Sequence, residues 1–151
     1  MNDSVGLVTT PDERTMATLA QVLQLVGGFI APLIIFFLRR ESKFVSFHAL
    51  QVLLYQIVHF FFNLVVGVGW FLVMFTSFFN SQSAHNTLPP ALFLFFPLLM
   101  VVMMGFWLLT LALAIIYGIK AGRGEWAGYP LLGGLARHIL KIGSGDEPIT
   151  T

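Results

Sequence analysis

The chain has 151 residues, of which 57% are hydrophobic and only 10% charged, and its mean hydropathy is +0.85. The absence of cysteine excludes disulfides, thiolate catalysis and Cys-ligated zinc or iron–sulfur centres; the formal net charge of +1 says nothing by itself, because the two signs are segregated along the chain. Residues 44–119 contain no Asp, Glu, Lys or Arg, and neither do residues 15–38. A charge at mid-bilayer costs about 2.5–3.5 kcal/mol, so such a chain is built for hydrocarbon and is an integral membrane protein.

The polar segment 1–15 is read as an N-terminal tail without the basic flank of a cleavable signal. Residues 16–142 are read as a single membrane domain and 143–151 as a loose tail. The first predicted span covers residues 16–38, about 34 Å of helix, which is enough to cross a core of about 30 Å. Thr10, Pro11 and Asp12 mark its start, and Asp12 and Glu13 sit favourably at the positive end of the helix dipole. Gly27, Gly28 and Pro32 interrupt it, and Pro32 predicts a kink.

The long uncharged run has one polar, proline-marked break, from Asn80 through Asn86 to Pro89 and Pro90. This predicts a second span over about 49–79, preceded by interfacial turns from Phe44, and a third over about 91–119 with Pro97 near its start. A four-span alternative would need a hidden turn at Gly67 and Gly69. With three spans, the turn Arg39-Arg40-Glu41-Ser42-Lys43 and the C-terminal region share one side. That side holds Arg39, Arg40, Lys43, Lys120, Arg123, Arg137 and Lys141, against Arg14 alone on the other. The positive-inside rule then predicts the N-terminus outside and the C-terminus, with this basic rim, in the cytoplasm. Trp126 and Tyr129 suit an aromatic belt. After Pro130, residues 131–141 read as an interfacial amphipathic helix, with Leu132, Leu135, Ile139 and Leu140 opposed to Arg137, His138 and Lys141.

His48, Gln51, Tyr55, His59 and Asn63 recur at steps of three and four and line one face of the second helix. Thr18, Gln21 and Gln24 on the first helix can answer them. Polar groups at bilayer depth seek partners, so these residues predict a polar seam between the two helices. The seam can be a hydrogen-bonded packing contact or a hydrated path. His48 and His59 stand roughly 16 Å apart on one helix and cannot ligate one ion together. No metal site, catalytic site or cofactor is predicted. Every Asp and Glu lies outside the spans, so no intramembrane carboxylate can relay protons or attack. Gly143-Ser144-Gly145-Asp146 superficially matches the Gly-x-Gly-Asp signature of intramembrane aspartyl proteases, but stands in a polar tail without a second Asp. The basic residues flank membrane anchors and suit anionic lipid, which argues against nucleic acid as a partner.

Several local sequences carry a family resemblance. Ala31-Pro32-Leu33-Ile34-Ile35 and a basic turn lead into Lys43-Phe44-Val45-Ser46-Phe47-His48-Ala49-Leu50-Gln51. Later come Ile119-Lys120-Ala121-Gly122-Arg123-Gly124-Glu125-Trp126 and Tyr129-Pro130-Leu131-Leu132-Gly133. Together these resemble a family of small bacterial membrane proteins of undetermined function, grouped with the twenty-kilodalton membrane component of the chloroplast inner-envelope import translocon. The resemblance implies an all-α helical bundle in a bacterial inner membrane, with Phe44, His48 and Gln51 at the cytoplasmic mouth of the second helix. By analogy with the chloroplast member it also implies a subunit of a translocon-like or other multi-protein membrane assembly. A chain that is nearly all bilayer and has no catalytic group is expected to be a non-enzymatic subunit or scaffold, partnered by lipids and by other subunits or a second copy. The alternatives are a transport element that uses the seam as an oligomer, or a lipid-binding protein.

Overall fold

The computed structural model describes residues 9–84 and 90–142. The polar stretch around Asn86, the start of the N-terminal tail and the tail from Gly143 lie outside them. Among the described residues there are five helices and no strand: α1 (Pro11–Gly27), α2 (Ile30–Leu38), α3 (Lys43–Ala84), α4 (Pro90–Gly122) and α5 (Leu132–Leu140).

Helix α1 opens with a reciprocal cap. The Glu13 N–H donates to the Thr10 hydroxyl (3.2 Å), and the Thr10 N–H donates to the Glu13 carboxylate (2.8 Å). Pro11 follows at the first helical position, where its missing donor costs nothing. The helix stops at Gly28, whose φ of 52° lies in the left-handed region that glycine tolerates.

After Gly28 and Phe29 the chain doubles back. The Arg39 guanidinium lies 2.7 Å from the Asp12 carboxylate, and the Ser42 hydroxyl donates to Glu13 at 2.6 Å. A straight helix would hold residues 12 and 39 about 40 Å apart. The predicted first span is therefore corrected: residues 16–38 form a helical hairpin whose two ends meet, not a single crossing. The physical reason is that the two glycines act as a turn. Pro32 is not the kink; it falls in the first turn of α2, where no helical hydrogen bond is lost. The same contacts overturn the expectation that the start of α1 and the Arg39 turn lie on opposite sides.

Helix α3 counts 42 residues without a break, so the interfacial turns from Phe44 and the predicted second span are one element, and no turn forms at Gly67 or Gly69. Helix α4 spans 33 residues with Pro97 in its second turn. Two helices are long and apolar enough to cross a membrane, over Lys43–Asn80 and Phe95–Gly122. The most apolar windows of these helices are 0% and 11% buried. Core helices of a water-soluble protein would be covered, so this bare apolar surface calls for lipid.

The chain divides into two compact units, residues 1–57 with 110–151, and residues 58–109. In the first, α1 and α2 pack on the start of α3 through Ala20, Ile35, Val45 and Ala49, flanked by Met16 and Phe36. A second cluster joins Ala17, Phe44 and Ala121, with Trp126 against it. Small residues let helix backbones approach closely, as is usual between membrane helices. In the second unit, Phe62 and Phe106 stack at 4.3 Å, and Trp70 meets Phe96 at 5.9 Å. That unit also holds an apolar cavity of about 460 Å³ lined by Val65, Gly69, Trp70, Phe95 and Leu98 among others.

Candidate functional site

The irregular segment between α4 and α5, residues 123–131, folds back into the first unit. Buried irregular backbone must find hydrogen-bond partners. Gln51, itself fully buried on α3, supplies them. Its Oε1 accepts from the Tyr129 N–H at 2.6 Å, and its Nε2 donates to the Ala127 carbonyl at 3.5 Å and to the Phe47 carbonyl at 3.4 Å. One side-chain amide thus stands in for a neighbouring backbone strand.

Tyr129 extends this cluster to α1. Its hydroxyl donates to Gln21 Oε1 at 2.5 Å, while Gln24 Nε2 donates to that hydroxyl at 3.3 Å and to the Gln21 carbonyl at 2.7 Å. Burial pushes the Tyr129 hydroxyl well above the usual tyrosine range, against a smaller opposing effect of the Gln24 hydrogen bond. The group stays a protonated donor. Its ring lies 4.4 Å from that of Tyr117 and 5.9 Å from that of Tyr55. The Tyr55 hydroxyl pairs with the Thr110 hydroxyl at 2.7 Å, and Gln56 donates to the Gln24 carbonyl at 3.4 Å.

Beside this cluster His48 is enclosed by aromatic rings. Its Nδ1 donates to the Phe44 carbonyl at 3.0 Å, and the rings of Phe44 and Phe47 lie 4.5 and 5.3 Å away. Trp126 packs on both phenylalanines. The Arg137 guanidinium lies 5.5 Å over Phe47 and donates to the Trp126 carbonyl at 3.2 Å. Helix α5 docks through a contact of two glycines: a Cβ built on Gly133 would stand 2.6 Å from Gly128 Cα.

The structure gathers Gln21, Gln24, His48, Gln51 and Tyr55 in the first unit, all buried. His59 and Asn63 belong to the second unit, where Asn63 donates to the His59 carbonyl at 2.7 Å and His59 faces Phe106 at 5.4 Å. Periodicity missed the hub of the cluster. Tyr129 looked like a belt aromatic, and only its place after a glycine-rich turn hinted at a chain reversal.

All eight basic residues fall in the first unit. Arg39 pairs with Asp12, Arg40 lies over Phe37 at 5.9 Å, and Lys120 lies over Tyr117 at 5.7 Å. Arg14, expected alone on the far side, donates to the Thr9 hydroxyl at 2.8 Å and comes beside Gly124 at the end of α4. Lys43, Arg123, Arg137 and Lys141 lie in the same unit. Among the described residues no three His, Asp or Glu side chains converge as metal ligands.

A family model, the magnetosome magnetite crystal formation protein family (MamF/MmsF), matches residues 12–136. The chain belongs to that family. No curated protein and no solved structure matches the chain, and no match links it to the chloroplast import component.

Proposed function

We propose that this member of the MamF/MmsF family is a non-enzymatic component of the magnetosome membrane, acting in magnetite crystal formation as a subunit or scaffold of a multi-protein assembly. The observation that carries the reading is the family match over residues 12–136, the same stretch that holds the Tyr129 cluster and both membrane-length helices. Within that cluster Gln21, Gln24, Gln51 and Tyr129 hydrogen-bond to one another or to backbone, while Gln21 Nε2 and Gln24 Oε1 are buried without a hydrogen-bond partner. The surface left for partners is apolar along α3 and α4 and basic at the rim. Lipids and other membrane subunits, or a second copy, are the partners this surface suits.

In this reading α3 and α4 cross the bilayer, and the α1–α2 hairpin takes the place of a third span. The ion pair between Asp12 and Arg39 favours both chain ends on one side, and the positive-inside rule favours the cytoplasm for that side.

Deleting the gene in its host and sizing the magnetite crystals by electron microscopy tests the process. Altered crystal size or number, restored by the intact chain, is the expected result; unchanged crystals would remove the proposal. Purification in mild detergent tests the scaffold role, with copurifying membrane subunits or a stable homo-oligomer expected.

A further inference from the structure

The α1–α2 hairpin is too short to cross a membrane and has both ends at the basic rim. Beyond the polar first turn, α1 offers residues 15–27, about 19 Å of helix, and α2 offers nine residues, about 13 Å. The hydrocarbon core is about 30 Å thick. The tip between the helices is apolar and open: Val26 is 90% exposed, and Phe29 and Ile30 are exposed beside it. In water such a tip would be a liability. In lipid it is a plug that ends inside the bilayer.

A second element of the first unit, α5, also leaves apolar residues uncovered. Helix α5 turns small residues, Gly133 and Ala136, toward the protein. Leu135 and Ile139 are exposed, as is Leu131 just before the helix, at 94%. Leu132 and Leu140 are half-buried, and His138, expected on the opposite face, is exposed beside Leu135 and Ile139. Arg137 and His138 occupy its last turn. An amphipathic helix with its apolar stripe turned outward lies in the headgroup–acyl boundary.

We infer that the α1–α2 hairpin and α5 together form a one-leaflet insertion that makes this protein favour membranes curved convexly toward its basic rim. The inference rests on the topology proposed above. A helix is about 10 Å across, so two upright helices and one flat nine-residue helix add area on the order of 300 Å² to the rim-side leaflet. Half of a core of about 30 Å is about 15 Å, so the roughly 13 Å of α2 ends within the rim-side leaflet. The roughly 19 Å of α1 passes the midplane by only about 4 Å, which leaves most of the added area in the rim-side leaflet. Unequal leaflet areas are relieved by bending toward the fuller side, and shallow amphipathic insertion is itself curvature-sensitive.

The test uses the full chain in giant vesicles of phosphatidylcholine and phosphatidylglycerol, from which a narrow membrane tube is pulled. The chain has no cysteine, so Glu41→Cys, Phe29→Cys and Asn80→Cys variants each carry a single thiol for a membrane-impermeant maleimide. With the rim on the outer leaflet, fluorescent protein is expected on the tube at roughly two- to threefold its density on the flat wall. The paired change Leu135→Asn and Ile139→Asn should lower that ratio while leaving the hairpin's contribution. Equal density on tube and wall, with Glu41→Cys labelled from one side, Asn80→Cys from the other and Phe29→Cys from neither, would overturn the curvature inference alone. Labelling of Phe29→Cys from the Asn80 side would overturn the topology and the inference with it.

Discussion

Tyr129 and Gln51, 78 positions apart, are joined by a hydrogen bond from the Tyr129 backbone N–H to the Gln51 side-chain carbonyl. The same amide reaches back to the Ala127 carbonyl. Through this residue α3 holds the irregular segment after α4 in place. Gln51→Leu keeps the volume and removes both partners, leaving a buried N–H unsatisfied. A loss of about 1–3 kcal/mol is expected, read as a lower unfolding midpoint in detergent.

The Tyr129 hydroxyl joins α1 to the cluster. Tyr129→Phe leaves the ring packed against Tyr55 and Tyr117 but strands Gln21 Oε1. Because Gln21→Leu removes the other half of that bond, the double variant should lose less than the sum of the two single ones. Hydrogen bonds between membrane helices couple by about 0.6 kcal/mol on average, so a coupling of about 0.5–2 kcal/mol is expected. An additive double-mutant cycle would show that the bond contributes nothing.

Tyr129 also predicts alkaline behaviour. Burial raises its hydroxyl above the ordinary value of 10.0, so the folded state keeps a proton that the unfolded state releases. Its contribution is full below that ordinary value and is lost as pH rises toward the raised one. Stability should fall through this alkaline window, and Tyr129→Phe should flatten the fall. Tyrosinate absorbance should show a late-titrating component that Tyr129→Phe removes.

Glu13 predicts the acid side. Partial desolvation pushes its carboxyl up, but hydrogen bonds from Ser42 and Thr10 and the nearby Arg39 charge outweigh it, and the net value lies below 4.5. A lowered carboxyl contributes stability above its unfolded value, and that stability is lost as pH falls through the folded one. Acid should therefore loosen the closure of the α1–α2 hairpin, and Glu13→Gln should weaken the pH dependence. Amide exchange at the start of α1, followed as pH is lowered, checks it.

Two adjacent glycines in α5 make a matched pair. A Cβ on Gly133 would meet the Gly128 backbone at 2.6 Å, whereas one on Gly134 meets nothing within 4 Å. Gly133→Ala should destabilise by about 1–3 kcal/mol, as overpacking does. Gly134→Ala should stabilise by up to about 1 kcal/mol through helix propensity. Thermal unfolding of both variants in one detergent decides it.

Much of this arrangement was readable from residue order. The four-step recurrence of Gln51 and Tyr55 announced a polar face, and the switch from Trp126 to an amphipathic pattern announced α5 almost to its ends. Sequence order could not show what the polar face meets. Periodicity reports which side of a helix a residue occupies, whereas the partner of Gln21 lies 108 positions away. The hairpin was hidden for a similar reason. A straight span and a doubled-back pair present the same apolar composition to lipid, and only the Asp12–Arg39 and Glu13–Ser42 contacts separate them. His59 and Asn63 continue the periodic face, yet Asn63 donates to the His59 carbonyl and His59 faces Phe106 within the second unit.

The hub of the polar cluster leaves the ribosome well after the residues it joins. Gln21, Gln24 and Gln51 are made long before Tyr129 and must wait for it. Until residue 129 is synthesised, these amides lack the partner that closes their network, so maturation of the first unit ends with its C-terminal segment. A nascent chain cut short before Tyr129 would offer quality-control proteases an unfinished membrane domain, while one cut a few residues after α5 would carry every contact of the finished cluster.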